Sequence, residues 1–278
     1  MPTCKIVADS SCDLTAFSGV DFAAAPLRII TAEKEYTDDQ NLDTFAMVNH
    51  LLHYKGKSST ACPGPGDWLE AFGDAERIFC ITITATLSGS YNAACTAKEI
   101  YEERHPDRKV FVFNSLTTGP EMKLVMELVR DRMAAGVDFD AICEEAVAYS
   151  RRTGLLFMLE SIRNLANNGR VSPLAARAAG ILGIRAVGRA SDQGDLEMLD
   201  KSRGRDKALR ALVANLRKLG YRGGKLRIAH AFNPEAVEKL VEYLREEFGP
   251  VEPEVYPCGG LCSFYAEMGG ILIGFEKE

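Results

Sequence analysis

The segment of residues 77–100 has the sequence RIFCITITATLSGSYNAACTAKEI. Residues 77–84 are β-rich and largely apolar at successive positions, which is typical of a strand buried on both faces of a parallel sheet. After a glycine turn rich in hydroxyls, apolar residues recur at helical spacing from Tyr91 to Ile100. The segment therefore predicts a strand, a turn and a helix of an α/β fold.

The rest of the first half repeats this alternation. We predict strands over residues 5–8 and 109–113, helices over 40–53, 120–135 and 139–151, and a small strand pair between 25 and 37. Short β-rich runs that alternate with helices predict a mainly parallel sheet covered by helices on both sides.

A second α/β unit is predicted to begin near Thr153. Its strand candidates are residues 155–159, 184–187, 196–199, 226–229 and 271–275, and its helix candidates are residues 173–179, 203–219 and 234–248. Because a typical domain uses roughly 150 residues, we expect two α/β domains, residues 1–152 and 153–278.

The composition is that of an ordinary globular protein, with 46% hydrophobic and 26% charged residues in a chain of 278. No apolar run approaches the roughly 20 residues of a membrane-spanning helix, and the start leads into a strand without a signal peptide. We therefore expect a cytoplasmic protein without stable membrane insertion. The eight cysteines are scattered, several of them in apolar runs, so we expect no disulfide framework.

Charge is unevenly distributed along the chain. Residues 151–222 contain 15 Lys and Arg against 6 Asp and Glu, a net charge of +9 within a chain whose total is −6. A basic surface on an acidic protein suits an anionic ligand or an acidic partner better than nucleic acid, whose phosphates the remainder would repel. Arginines that merely solvate helix faces are the alternative interpretation.

Two serines flank a glycine at the start of the helix predicted after residue 84. Ser88, Gly89 and Ser90 follow the carboxyl end of a parallel strand, where free N–H groups and the helix dipole favour an anion. A simpler interpretation is that Ser88 or Ser90 only caps the helix. The residues by themselves leave both interpretations open.

Two further hydroxyl clusters lie near predicted turns. Residues 58–60, SST, precede a stiff loop with the sequence ACPGPG, after which Asp67 is predicted to cap a short helix. Residues 9–13, DSSCD, end the first strand, and Asp13 is predicted to form a turn and an N-cap.

Six segments resemble, in the same order, those of one known family. The opening KIVADSSCDL is similar to K-I-x-x-D-S-x-x-D-L, TACPGPGDW to T-S-x-P-S-P-G, and ITATLSGSYNAA to I-S-x-x-L-S-G-T-Y-x-x-A. NNGRVSPLAARAAGILGIRAV is similar to G-G-R-I-S-x-A-x-x-x-x-x-x-L-x-I-K-P, and a basic RGR and a glycine-rich end follow. The chain resembles the DegV family of bacterial fatty-acid-binding proteins over nearly its whole length.

The resemblance implies a fold and a ligand. It implies a mainly parallel sheet in the N-terminal domain, a mixed sheet in the C-terminal domain, and a tunnel between them for one long-chain fatty acid. It also implies a non-catalytic protein without a cofactor, which presents the fatty acid to a separate kinase.

Site residues follow from the matched motifs. Thr60 and Ser88 match the family's carboxylate contacts, with Gly89 and Ser90 beside them. Arg170 matches an arginine near the tunnel mouth. Tyr265 stands where the family usually has a histidine that faces the ligand head. The resemblance assigns the basic pair Arg203 and Arg205 to phosphate or kinase contact.

Motifs for other classes of function are absent from the sequence. It contains no G-x-x-x-x-G-K-[ST], no G-x-G-x-x-G after a strand, no H-E-x-x-H and no G-x-S-x-G. Cys258 and Cys262 would supply half of a zinc site at most. An acyl hydrolase using Ser88 or Cys62, and a regulatory or nucleic-acid-binding protein using the basic window, stay open as alternatives.

Overall fold

The computed structural model describes residues 2–171 and 184–278. The strands in these ranges are β1 (Cys4–Asp9), β2 (Asp21–Ala25), β3 (Arg28–Ile30), β4 (Glu35–Thr37), β5 (Ser59–Ala61), β6 (Arg77–Thr82), β7 (Lys109–Asn114), β8 (Thr153–Leu159), β9 (Ile184–Ala190), β10 (Leu196–Arg203), β11 (Leu226–His230), β12 (Glu254–Pro257) and β13 (Ile271–Glu276). The α-helices are α1 (Thr44–His53), α2 (Pro65–Phe72), α3 (Ser90–Arg104), α4 (Pro120–Ala134), α5 (Phe139–Ser150), α6 (Arg163–Asn167), α7 (Arg205–Lys218), α8 (Pro234–Phe248) and α9 (Gly260–Ala266). The helix predicted over residues 173–179 lies outside the described residues.

The first sheet has the order β2-β1-β6-β7, and all of its neighbouring strands are parallel. Its two faces are buried by different helices, since alternate side chains of a strand point to opposite faces. Val7, Ile78 and Cys80 pack in one cluster with residues of α2 and α3. Ile6 and Phe79 pack in another cluster with residues of α4 and α5. Burial on both faces explains the continuous apolar runs of the sequence.

A small antiparallel sheet with the order β4-β3-β5 accompanies the first sheet. The strand pair predicted between residues 25 and 37 is confirmed as β3 and β4. Strands β2, β5 and β12 were not predicted from the sequence. β5 has only three residues and β12 four, and β2 and β12 lie at sheet edges. Short strands and edge strands bury few side chains, so their sequences show little of the apolar pattern by which a strand is predicted.

The second sheet has the order β10-β9-β8-β13-β11-β12 and is mixed, because only β11 and β12 are parallel neighbours. Leu156 and Met158 of β8 pack on one face with leucines of α7 and α8. The predicted fold class, a mainly parallel sheet followed by a mixed one, is confirmed. The strands of the second sheet all follow residue 152, while the exact domain boundary stays a prediction.

Helix α4 lies between the two sheets and contacts both of them. Its charged residues pair with the second sheet: Glu127 forms an ion pair with Arg227 at 2.7 Å, and Lys123 donates to Glu254 at 2.5 Å. The helix approaches β13 so closely that a Cβ on Gly274 would lie 2.4 Å from the carbonyl carbon of Pro120. The absence of a side chain at Gly274 permits this contact.

Of two capping predictions, the one for Asp67 holds, although Asp67 caps from the third position of the helix, and the one for Asp13 was wrong. Asp67 lies inside α2, where its carboxylate accepts from the N–H of Gly64, the true N-cap, at 2.8 Å and pairs with Arg28 at 2.9 Å. Asp13 adopts a left-handed conformation with φ 62° and ends a 3-10 turn, so no helix begins there. Its carboxylate instead accepts from the N–H of Gly259, just before α9, at 2.8 Å.

We expect Gly274→Ala to lower the free energy of unfolding by about 1–3 kcal/mol, because a methyl group there must push α4 away from β13. Gly66→Ala is the matched control, since a Cβ at Gly66 in α2 meets no atom within 4 Å and alanine favours helix. Urea unfolding of both variants measures the difference. Equal midpoints for the two variants would show that α4 can move without loss of stability.

Candidate functional site

A cavity of about 320 Å³ lies between the two sheets. Its described walls come from both halves of the chain: Leu27, Thr60, Ala61, Cys62, Ile83, Leu87, Ser88, Gly89, Thr118, Leu155, Phe157, Leu159, Leu165, Arg170, Leu196, Leu261, Cys262, Tyr265, Ala266 and Leu272. Most of these side chains are apolar, and this volume is at the lower end of the roughly 300–1,000 Å³ of small-molecule sites.

The apolar wall is the face of the second sheet that α7 and α8 leave uncovered. Leu155, Phe157 and Leu159 of β8 point into the cavity, while Leu156 and Met158 between them point into the core. The two-residue period of a strand produces this division. The continuous apolar run at residues 155–159 therefore encodes a core face and a cavity face.

Hydroxyl groups gather at another part of the wall. The Oγ1 of Thr60, on β5, lies 2.7 Å from the phenol oxygen of Tyr265, on α9. The two residues are 205 positions apart in the chain, and the family resemblance had predicted both as ligand contacts. Burial raises the pKa of Tyr265 above its ordinary value of 10.0, although Thr60 and nearby Arg170 oppose that shift. The phenol therefore stays neutral at physiological pH.

The start of α3 lies in the same wall. Gly89 is the N-cap, and the Oγ of Ser88 accepts from the N–H of Ser90 at 3.3 Å. Ser88 and Gly89 line the cavity. The first N–H groups of an α-helix lack partners within the helix, so this end supplies neutral donors and a partial positive charge. Ser88 thus accepts from the first N–H of the helix without being its N-cap, and it lines the cavity, while its contact with an anion stays a prediction.

Ser90 does not line the cavity. It is fully buried behind the wall, and its hydroxyl donates to the carboxylate of Asp9 at 2.6 Å. The same carboxylate accepts from the N–H of Ile83 at 2.9 Å and from Ser11. The prediction that Ser90 contacts the ligand directly is therefore corrected: its hydroxyl is already engaged in holding the strand end.

The loop before α3, residues 83–89, is held from three sides. Asp9 binds its first N–H, at Ile83. Thr86 donates through its Oγ1 to the carbonyl of Gly194, in the turn between β9 and β10, at 2.7 Å. Arg170 donates through its Nε to the carbonyl of Leu87 at 3.2 Å. These contacts fix Ser88 and Gly89 relative to the second sheet.

Two buried carboxylates position α9, which carries Tyr265. Asp38 accepts from the N–H groups of Gly260 and Leu261 at 2.7 and 2.9 Å, and burial raises its pKa. Asp13 accepts from Gly259 through one oxygen only. Its enclosed Oδ2 has no hydrogen-bond partner among the described residues. Burial raises the pKa of Asp13 to about 8, and nearby Asp38 adds to the shift.

Arg203 and Arg205 are exposed and are not among the cavity-lining residues described. Arg203 ends β10, and Arg205 begins α7 and lies 3.9 Å from Glu235 on α8. Further along the same two helices, Arg217 pairs with Glu247 at 2.6 Å. Helix α7, which belongs to the basic window, thus packs beside an acidic helix, and part of its charge is balanced within the protein.

Several lining residues were not singled out from the sequence, among them Thr118 and Leu196. They stand alone in apolar or turn segments, and only the fold brings them together. Cys62, which had been weighed as a nucleophile, lies in the wall beside Gly89. No His, Asp or Glu occurs among the described lining residues, so these show no base next to Ser88 or Cys62.

Other candidate ligands have ordinary structural partners. Cys258 and Cys262 are buried, burial raises the pKa of both thiols, and Cys262 donates to the carbonyl of Ser11. In the ranges 2–171 and 184–278, no group of three or more His, Cys, Asp or Glu is arranged to hold a metal ion.

The fold and the cavity define an α/β protein with an internal, mostly apolar binding site. A family model described as "Uncharacterised protein, DegV family" matches residues 3–278. The chain is also 43% identical to the DegV domain-containing protein spr0652 of Streptococcus pneumoniae over 99% of this chain and 100% of that protein. The chain therefore belongs to the DegV family, as its motifs predicted.

Two solved structures are similar to the chain over 99% of its length and 100% of theirs, each with a TM-score of 0.96. One is a DegV family protein from Eubacterium eligens loaded with heptadecanoic acid, 45% identical to this chain. The other is the Streptococcus pneumoniae Fatty Acid Kinase (Fak) B3 protein loaded with linoleic acid, 42% identical. None of the helices described for this chain is both long and apolar enough to span a membrane.

Because the pKa of Asp13 is raised, we expect the stability of the protein to depend on pH. Its folded pKa of about 8 exceeds the ordinary 3.8, so between these values the folded state holds a proton that the unfolded state has lost. The contribution of this group to stability therefore falls as pH rises from about 4 to about 8. Asparagine is neutral and tolerates the left-handed backbone, so we expect Asp13→Asn to gain stability relative to wild type over that range.

Urea unfolding of wild type and Asp13→Asn at several pH values between about 5 and 8 measures this difference. The two proteins share their other titrating groups, so those contributions cancel in the comparison apart from that of Asp38, which interacts with Asp13. A constant gap between the two stability curves would contradict the raised pKa of Asp13.

Proposed function

We propose that the protein binds one long-chain fatty acid in the cavity between its two sheets. The observation that carries this proposal is a cavity with apolar walls and one hydroxyl-rich part, where Thr60, Tyr265 and Ser88 lie. At about 0.8 kcal/mol per buried methylene, a tail of about 16 carbons offers on the order of 10 kcal/mol before ordering costs. Most of the affinity then comes from the tail.

The carboxylate binds at the hydroxyl-rich part of the wall. Ser88 supplies one neutral O–H donor, and the hydrogen-bonded pair of Thr60 and Tyr265 supplies a second, since one of their two O–H groups is donated within the pair. Gly89 brings the start of α3. Arg170 supplies the positive charge among the described lining residues. Its guanidinium already donates to the carbonyls of Leu87 and Asn168, so it lies fixed at the cavity wall. These groups position the head of the ligand while the apolar wall holds its tail.

The protein presents the bound acid to a separate fatty acid kinase in the cytoplasm and catalyses no reaction itself. The similarity to the Fak B3 protein supports this role. In this role the protein needs no cofactor of its own, since the kinase supplies the phosphoryl donor. Arg203 and Arg205 lie exposed outside the described cavity wall, where a kinase or a phosphate can reach them.

We expect purified protein to carry about one fatty acid per chain, because an apolar cavity of this size fills where lipid is available. Solvent extraction of the denatured protein followed by mass spectrometry identifies the ligand. Delipidated protein should melt at a lower temperature and recover on addition of palmitate or oleate. Extracts without stoichiometric fatty acid, together with an unchanged melting temperature, would refute the proposal.

Loss of one hydroxyl in the wall should weaken fatty-acid binding without abolishing it. We expect Thr60→Val and Ser88→Ala each to lower affinity by about 1–3 kcal/mol, because each loses one donor to a charged head while the tail contacts remain. Titration calorimetry with delipidated protein measures the effect.

Ser90→Ala is the control for these two variants. Its hydroxyl binds Asp9 behind the wall, so the substitution should reduce stability while affinity changes less than in Ser88→Ala. If Ser90→Ala weakens binding more than Ser88→Ala does, the head group is bound elsewhere.

Substitution of the exposed arginines should separate binding from delivery. We expect Arg203→Ala and Arg205→Ala to bind fatty acid as wild type does and to reduce its phosphorylation by a fatty acid kinase, because a phosphate or acidic partner loses a charged contact. Arg217→Ala, another exposed arginine of α7, is the control. Normal phosphorylation with both variants would show that Arg203 and Arg205 do not contribute to the surface that contacts the kinase.

A further inference from the structure

Phe157 occupies the middle of the apolar wall and rests on a glycine. It lies on β8 opposite Gly188 of β9, in the register of an antiparallel pair. A Cβ built on Gly188 would lie 2.4 Å from Cζ and 2.6 Å from Cε2 of the Phe157 ring. The ring thus fills the space that any side chain at residue 188 would need.

The cavity face of β9 consists of small residues. Ala186 and Ala190 flank Gly188 at two-residue spacing and pack with the cavity-wall cluster, whereas Val187 belongs to the core on the opposite face. Leu272, the neighbour of Phe157 on β13, carries a full side chain. The ring of Phe157 therefore lies down toward β9 and leaves the interior of the cavity open.

We propose that Phe157 and Gly188 together set the volume available to the alkyl tail and so determine which chain lengths bind best. This inference rests on the proposed function, since it assigns the tail of the fatty acid to this wall. A larger residue at 188 lifts the ring into the cavity. A smaller residue at 157 enlarges the cavity while the glycine stays.

Chain length is the property that such a change alters most directly. Each additional methylene that finds room in an apolar cavity raises affinity about fourfold. A methylene that finds no room adds nothing and forces the wall apart. The ratio of affinities for a long and a short saturated acid therefore reports the volume of the cavity independently of the head group.

The experiment measures dissociation constants of dodecanoate, tetradecanoate, hexadecanoate and octadecanoate for delipidated wild type and three variants. We expect Phe157→Leu to raise the affinity for octadecanoate relative to dodecanoate about tenfold over wild type, which is the effect of one to two methylenes. Gly188→Ala should change the ratio by a similar factor in the opposite direction. The double variant should return toward the wild-type ratio.

Gly154→Ala is the matched control. Gly154 lies on the same strand as Phe157, and a Cβ there would lie 2.7 Å from the ring of Phe275, a residue of the core cluster with α7 and α8. The control should lose stability and keep the wild-type ratio. A Cβ at Gly188 also lies 2.5 Å from the carbonyl oxygen of Glu197. If Gly188→Ala fails to fold, Phe157→Leu and Phe157→Ala decide the question, because neither touches that carbonyl.

Tight binding with the same affinity ratio in wild type and the Phe157 variants would overturn this inference and leave the proposed function intact. Wild type that binds none of the four acids would overturn both. A ratio that changes equally in Gly154→Ala would show a general effect of destabilisation and would likewise overturn the assignment to Phe157 and Gly188.

Discussion

Helices α7 and α8 pack on one face of the six-stranded sheet, so the apolar side chains on its other face need a different cover. Leu155, Phe157 and Leu159 point from β8 to that second face. Helix α4 covers part of it, in contact with Gly274. The loops of the first sheet approach the rest without filling it, and the apolar cavity is the space that remains. The binding site is thus a consequence of how the two sheets share one interior.

Buried carboxylates hold the polar part of this interior in place. Asp9 binds the N–H of Ile83 and the hydroxyl of Ser90, and Asp38 binds two N–H groups at the start of α9. Burial raises the pKa of both groups, since the protein offers them less solvation than water does. The hydrogen bonds that these carboxylates accept offset the cost of burying them. Here they fix the two elements that carry Ser88 and Tyr265.

The sequence was most informative where one physical requirement acts locally. The apolar run from residue 77 required a strand buried on both faces, and the turn at Ser88 required a helix start. The family motifs predicted Thr60 and Tyr265, whose side chains are in contact. The role of Asp13 could not be predicted, because its carboxylate binds Gly259, 246 positions away. The bond from Ser90 to Asp9 could not be predicted either. A serine at the start of a helix shows the same local sequence pattern whether it caps the helix, binds a ligand or donates to a buried carboxylate.

A site built from neutral donors and one fixed arginine suits a carrier better than a catalyst. A hydrolase needs a base beside its nucleophile, and the described wall offers Ser88 and Cys62 without one. Tyr265 stays uncharged near neutral pH. Unlike a histidine, it therefore adds no change of charge to the site between pH 5 and 8. In the proposed complex the tail supplies most of the affinity, so the site needs only to orient the head group. In the function proposed here, such weak contacts leave the carboxylate of the fatty acid able to react with a phosphoryl donor that the kinase brings, while the tail keeps the acid bound.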